Sequence, residues 1–404
     1  MECSTWWSQL PDDLKENTLA WLPVESLCRY RCLCKEWNAL ISSTKFITKD
    51  WVAAPPNNKP WLVLCHRWRL LCMGYCFFTN TWKRFSLAFL REKYDFSDIW
   101  IHGSAAGLVL ASTWVHGPIR THSLSNPLTG TSLELPRIND STLFQAMTIV
   151  AGERQGHNGE TYKVIAVAES GNAQRVEIYD SCLKSWSTAG QLPQNMRILH
   201  TTLDKVRIVI SEDFLYCKGW QREVRFRYGI IAFSVQNGTS IFMPLPLEDV
   251  PDRNRRDVLF SCGSRVLLGT CIRYRGVEDI IISELQKPAL TSNFLEGREI
   301  ARIPPSILED FDIKEDMVFG SLMFDFEATR DLVCITYGRA NEVLVYNLSE
   351  NTWRWLQRRP MDKQWLYVPY AFVFEPRLDM KVEWMNYLFV FLVNKRALKI
   401  YSHN

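Results

Sequence analysis

One short pattern recurs along the chain and limits the folds open to it. Phe78-Thr79-Asn80-Thr81-Trp82-Lys83-Arg84-Phe85 returns as Tyr179-Asp180-Ser181-Cys182-Leu183-Lys184-Ser185-Trp186 and as Tyr346-Asn347-Leu348-Ser349-Glu350-Asn351-Thr352-Trp353. Degenerate copies stand at Ser125–Gly130 and Ser234–Thr239, and another is expected between Ser283 and Ile300. Each copy reads as a strand end, a tight polar turn and a new strand opening on Trp or another apolar residue. Several are followed by Leu-Pro, as at Leu135-Pro136, Leu192-Pro193 and Leu245-Pro246. The spacing, roughly 50–58 residues, is the length of one four-stranded propeller blade. The copies predict about six blades, or a seventh if the C-terminal strands count.

The stretches between the copies agree. Short β-type runs lie at Trp61–Leu64, Gly107–Leu110, Tyr162–Ala168, Val206–Ile210, Gly229–Phe233, Arg265–Leu268, Leu332–Thr336 and Glu342–Tyr346. Of the 404 residues, 47% are hydrophobic and 13% aromatic, enough for a large core and too many for general disorder. The repeating Trp residues read as packing between blades. A propeller must close, because an open sheet edge is a liability. Residues 371–375 or 387–393 are expected to supply the strand that completes the first blade.

Other classes find little support. A net charge of +3 argues against direct nucleic-acid binding, and the cluster Arg253, Arg255, Arg256 reads as a solvated loop. Twelve cysteines without a regular framework read as reduced, mostly buried thiols of an intracellular protein, in cytoplasm or nucleus. The first residues lack a signal-peptide pattern. The longest apolar run, Tyr387–Val393, is too short to span a bilayer, so no membrane is implied and the sequons at Asn139, Asn237 and Asn347 are expected to go unused. No GxGxxG, Walker or HExxH pattern occurs. Cys65-His66 with Cys72 and Cys76 lacks zinc-knuckle spacing and reads as strand. His116 and His122 lie near Ser123, but no nucleophile elbow supports a triad. No catalytic residue, metal or cofactor is expected.

Residues 10–47 follow a different, helical period. Leu10-Pro11-Asp12-Asp13 is a helix start with Glu16 near capping-box distance, and Leu22-Pro23 ends that helix. A second helix is expected after Pro23, carrying Val24, Leu27 and Tyr30 or Arg31. A third is expected from about Cys34 through Trp37, Leu40 and Ile41 to Ser42-Ser43-Thr44. So small a unit gains stability from a partner. Its leftover apolar positions at Leu10, Pro11, Leu22, Pro23 and Leu27 form a candidate interface.

Leu10-Pro11-x-Asp13-Leu14, then Leu22-Pro23-Val24-Glu25-Ser26-Leu27-x-Arg29-Tyr30-Arg31-Cys32-Leu33-Cys34-Lys35-Glu36-Trp37-Asn38-x-Leu40-Ile41-Ser42-Ser43, then Phe46, resembles the F-box of plant F-box proteins. The resemblance implies docking to a Skp-type adaptor that bridges to a cullin scaffold. The adaptor-facing positions it implies are Leu10, Pro11, Leu14, Leu19, Leu22, Pro23, Leu27 and Cys32, while Arg31, Lys35 and Trp37 hold the helices together. Lys15 and Thr18 stand where the family carries apolar residues, and losing a buried aliphatic at Thr18 would weaken docking by about 1–2 kcal/mol.

The repeats resemble the kelch-like, F-box-associated propeller of the same proteins. Of the paired kelch glycines, only Gly103-Ser104-Ala105-Ala106-Gly107 and Cys262-Gly263-Ser264 remain. The implied architecture is α+β and multidomain. It assigns 1–50 to a three-helix F-box, 51–60 to a linker, 61–383 to an all-β kelch-type propeller, and 384–404 to a tail or closing strand. The implied role is the substrate-recognition subunit of a cullin-based ubiquitin ligase, with an unknown target held by propeller loops. Candidate loop residues are Trp114, His116, Trp220, Arg222, Arg273, Tyr274 and Arg275. Two other readings stay open: a non-degradative scaffold or transcriptional cofactor, and a propeller that binds a small ligand or sugar.

Overall fold

The computed structural model describes residues 7, 9–43, 45–46, 60–66, 71–87, 99–114, 120–138, 143–154, 160–198, 207–222, 226–245, 255–274, 277–286, 297–310, 324–337, 342–358, 369–378, 380 and 382. The first stretch is helical, with α1 (Asp12–Ala20), α2 (Val24–Tyr30) and α3 (Lys35–Ile41). Pro11 and Pro23 occupy the N-caps of α1 and α2. Proline has no side-chain acceptor, so the capping box expected at Glu16 does not form. Glu16 pairs instead with Lys45, Oε2 to Nζ 2.6 Å. Cys34 caps α3, its Sγ accepting from the Trp37 N–H at 3.5 Å. Leu19, Leu27, Ile41 and Phe46 close a small core. Trp7 stacks on Trp37 at 4.6 Å, and Arg31 Nε donates to Asn38 Oδ1 at 3.2 Å.

The strands form six antiparallel sheets, the blades of a propeller. Blade I holds β1 (Trp61–His66), β2 (Leu71–Cys76) and β3 (Thr81–Ser86). Blade II is β4 (Ile99–Ala105), β5 (Leu108–Trp114), β6 (Arg120–Asn126) and β7 (Thr131–Glu134). Blade III is β8 (Leu143–Arg154), β9 (Glu160–Ser170), β10 (Ala173–Asp180) and β11 (Ser185–Gln191). Blade IV has its first strand split into β12 (Met196–Ile198) and β13 (Ile208–Ser211), followed by β14 (Phe214–Arg222), β15 (Phe226–Ser234) and β16 (Ser240–Pro244). Blade V is β17 (Arg255–Cys262), β18 (Arg265–Tyr274), β19 (Val277–Leu285) and β20 (Gly297–Arg302). Blade VI is β21 (Phe324–Thr329), β22 (Leu332–Tyr337), β23 (Val343–Asn347) and β24 (Thr352–Trp355). The last strand, β25 (Pro369–Phe374), returns to blade I and pairs with β1 from Trp61↔Phe374 to His66↔Pro369. The two ends of the propeller thus share one sheet, which closes the ring of blades. Residues 387–393 and the tail from 384 lie outside the described residues. Arg255 and Arg256, read from sequence as a solvated loop, open β17, where the register of a strand decides their placement; Arg253 is outside the described residues.

The strands β25, β4, β8, β13, β17 and β21 pack successively around the central axis. Six apolar clusters fill the six gaps between neighbouring blades. The cluster between blades I and II is continuous with the core of the helices.

The five located copies occupy one structural place, the hairpin from the third to the fourth strand of a blade, and residues 287–296, where the further copy is expected, lie outside the described residues. Asn80, Gly130, Lys184, Gly238 and Asn351 all adopt positive φ just before the fourth strand, the conformation such a turn needs. In three blades a Tyr and a Trp face each other across this hairpin: Tyr75↔Trp82, Tyr179↔Trp186 and Tyr346↔Trp353. Their rings lie 5.1, 5.5 and 4.5 Å apart, contacts worth about 0.5–1.5 kcal/mol each. The tryptophans do more than fill space. Trp82 Nε1 donates to the Gln357 carbonyl and Trp186 Nε1 to the Pro136 carbonyl, both at 2.7 Å and both in the preceding blade. The aliphatic residue that ends each copy is buried, and Leu135, Leu192, Leu245, Ile303 and Leu356 each donate an N–H back to the third strand.

Strand direction alternates within each blade. The first-to-second and third-to-fourth turns therefore share one end of the propeller, where Trp61 enters from the helices. The second-to-third hairpins and the blade-to-blade connections share the far face.

Candidate functional site

Helix α1 is turned inside out. Leu10, Leu14 and Trp21 fall along one side of it at helical spacing, and they are 37%, 52% and 59% exposed. Its other side carries Lys15, Glu16, Leu19 and Ala20 inward. The inward charges are compensated: Lys15 Nζ lies 3.1 Å from Asp12 Oδ1, and Glu16 holds Lys45. Hydrogen bonds from Lys45 to Glu16 and Asp13 raise its pKa. Leu33, beyond α2, is 65% exposed and adds to the outward apolar surface.

Of the positions expected to face an adaptor, Pro11 and Cys32 are exposed with Leu10 and Leu14, while Leu22 and Pro23 are half-buried. Leu19 and Leu27 are fully buried. They hold the three helices together, because α1 and α2 both need an inward aliphatic to pack on α3. Trp21 and Leu33 take their places at the surface. A helical wheel finds Trp21, seven residues after Leu14, although the motif does not single it out. Thr18 is exposed and donates its hydroxyl to the Leu14 carbonyl at 2.8 Å. Lys15 lies off the outward stripe, so it removes nothing from that surface.

The candidate loop residues of the propeller gather on the far face. Trp114 ends β5, Trp220 and Arg222 end β14, and Arg273 and Tyr274 end β18. All open second-to-third hairpins, in blades II, IV and V. Trp220 is half-buried and Arg222 exposed; His116 and Arg275 lie outside the described residues.

The axis encloses a cavity of about 310 Å³ lined by all six inner strands, with His102, Ser104, Thr148, Arg207, Ser261 and Glu327 among its polar walls. Arg207, ahead of β13, reaches past blade V to blade VI. Its guanidinium lies 2.5 Å from Asp325 Oδ1 and 2.9 Å from Glu327 Oε1, and it donates to the Phe326 carbonyl at 2.8 Å. Burial opposes the charge on Arg207, and the two carboxylates more than offset it, so its pKa is raised. His102 Nε2 and His122 Nδ1 both lie 2.6 Å from Ser112 Oγ; His122 is thus engaged with Ser112 on the adjacent strand. Cys65 and Cys72 face each other across β1 and β2, both buried. Burial first, and then Cys65, push the Cys72 thiol well up.

Comparison with known proteins bears on the helices first. Residues 7–49 match the F-box domain family. The helical stretch is an F-box. F-box only protein 6 of Arabidopsis thaliana is 27% identical over 307 residues, covering 74% of this chain and 59% of that protein, so the chain spans less than two thirds of that relative. An F-box/kelch-repeat protein of the same plant is 26% identical over 411 residues, 92% of this chain and 90% of that one. Another Arabidopsis thaliana F-box protein reaches 48% identity, but over 49 residues, 12% of this chain and 13% of that protein. The chain thus joins an F-box to a six-bladed propeller.

Proposed function

We propose that the F-box docks a Skp-type adaptor through Leu10, Leu14, Trp21 and Leu33, and that the propeller holds a target protein for ubiquitination. The adaptor bridges to a cullin scaffold, and the transfer chemistry belongs to other subunits of that ligase. The protein works in the cytoplasm, the nucleus or both. The observation that carries this reading is the reversed α1. A helix that faces Lys15 and Glu16 inward and Leu14 and Trp21 outward leaves apolar area in water, which a partner must cover. The far face supports the second half of the reading. The helices enter at the opposite end, so a bound adaptor leaves that face open for a target.

The test is co-expression with a Skp-type adaptor. Leu14→Asp combined with Trp21→Asp is expected to abolish co-purification with the melting temperature unchanged. Retained co-purification sinks the docking assignment. Leu27→Ala supplies the contrast: its side chain is fully buried, so it should lose about 2–5 kcal/mol of stability instead.

A further inference from the structure

We propose that a strap following the closing strand couples closure of the propeller ring to the seating of the F-box helices. The inference goes beyond adaptor docking and does not depend on it. β25 ends at Phe374, opposite Trp61, at the helical end of the propeller. The next described residues, 375–378, 380 and 382, cross blade II at that end. Leu378 is buried in the cluster between blades I and II, and Met380 and Val382 are buried in the cluster between blades II and III. Two residues of blade II are shaped to receive this strap. Gly107, in the turn between β4 and β5, has φ 78°, and a Cβ there would come within 2.6 Å of the Arg377 Cβ. Only glycine accepts both the backbone conformation and the close approach. Asn126, at the end of β6, is fully buried. Its Nδ2 donates to the Arg377 carbonyl at 2.9 Å and to the Met380 carbonyl at 2.7 Å, and its Oδ1 accepts from the Leu128 N–H at 2.9 Å. A buried amide has no water to turn to, so Asn126 and the strap carbonyls depend on each other.

The helices need what the strap completes. α1, α2 and α3 have 9, 7 and 7 residues, too few to stay helical without tertiary packing. Their inward residues Leu19, Leu27 and Ile41, with Phe46, belong to one buried cluster with Trp61, Phe372, Phe374 and Leu378. Trp61 meets Phe374 edge to face, ring centres 6.3 Å apart. The F-box therefore rests on side chains that arrive only with the closing strand and its strap. A ring that has not closed lacks Phe372, Phe374 and Leu378 at this seat and leaves the helices short of apolar packing.

The test is amide hydrogen exchange of the full-length protein, read by mass spectrometry on peptides from each element. Leu378→Asp puts a carboxylate into the shared cluster and should speed exchange in α1, α2, α3 and β25 by about tenfold or more. β14 and β18, in blades IV and V, should keep their exchange. Asn126→Asp is the milder variant: it keeps the oxygen that accepts from Leu128 and loses the amide that holds the strap. It should give the same pattern at smaller size. Coupling is reciprocal, so Ile41→Ala in α3 should speed exchange in β25. Leu267→Ala, whose side chain is buried between blades V and VI, should loosen β18 and leave the helices alone. Helices that keep their ordinary exchange in both strap variants overturn the proposal. So does a loosening of the helices by Leu267→Ala as large as that by Leu378→Asp. Adaptor binding is not the readout, so a failure to bind adaptor counts against the docking reading alone.

Discussion

The F-box and the propeller use their apolar residues in opposite ways. The F-box sends Leu10, Leu14, Trp21 and Leu33 into solvent from a short stretch of chain. The propeller draws its apolar residues into the gaps between blades, and among its described residues the exposed large ones, Phe78, Leu183 and Tyr228, stand singly. A surface that must fit a partner constrains individual side chains. A gap between blades asks only for suitable volume and alternation, which many sequences satisfy. Many core sequences can therefore support the same propeller.

The largest effect that would separate the two regions comes from Arg207. Its side chain is 12% exposed, and those of Asp325 and Glu327 are 22% and 14% exposed. Arg207→Ala removes the cation these carboxylates share inside the channel, at an expected cost of about 3–5 kcal/mol. Urea unfolding should register the loss. Adaptor co-purification at a temperature where the variant is folded should not change. If docking fails together with propeller stability, the two regions are not separable in this way.

Different parts of the molecule were legible in the sequence for different reasons. The repeat was readable because each copy must supply a strand end, a positive-φ turn residue and a new strand, as at Asn80, Gly130 and Asn351. That demand fixes local chemistry, so the shared hairpin is legible in the sequence and the blade count is legible as six or seven. The closing strand was narrowed to two candidates, because closure specifies that a strand must return and not which one. The motif marks positions such as Leu19 and Leu27, but their burial depends on how α1 and α2 lean on α3, which no local pattern carries. Arg207 and its carboxylates left no local signal, being 118 residues apart from Asp325 in sequence. Trp114, Trp220, Arg222, Arg273 and Tyr274 are scattered in the sequence, and strand direction is what places them on one face.

A smaller effect tests how regular the propeller is. In blades I and VI the hairpin Tyr also bonds the turn residue: Tyr75 Oη donates to Asn80 Oδ1 at 3.3 Å and Tyr346 Oη to Asn351 Oδ1 at 2.8 Å. Blade III has the same Tyr179–Trp186 pair, but Lys184 occupies the turn at φ 52°. Asparagine tolerates that conformation better than lysine and brings an acceptor. Lys184→Asn should stabilise the protein by about 0.5–1.5 kcal/mol, read as a raised melting temperature. Combining it with Tyr179→Phe should remove most of the gain. A gain that survives Tyr179→Phe would assign the effect to backbone strain alone.

The smallest effect uses pH, to which the two regions should respond differently. Arg265 grips Glu284 with two bonds, Nε to Oε1 at 2.7 Å and Nη2 to Oε2 at 3.0 Å. Those bonds lower the Glu284 pKa from its ordinary 4.5, against a weaker opposing effect of burial. A carboxylate with a lowered folded-state pKa adds stability that is complete above its unfolded value and is lost as pH falls through the folded one. The side chains are 38% and 30% exposed, so solvent screening leaves about 0.5 kcal/mol. Glu284→Gln should therefore lower stability slightly at neutral pH and make it less steep below pH 4.5, where the ordinary glutamate would begin to protonate. Leu10, Leu14, Trp21 and Leu33 carry no group that titrates there, so adaptor affinity of the variant should match that of the unaltered protein across the same range. An affinity that tracks the propeller's acid response would mean that the continuous apolar cluster joining the helices to blades I and II transmits strain between them, and the contrast between the two regions would then hold for their surfaces but not for their stability.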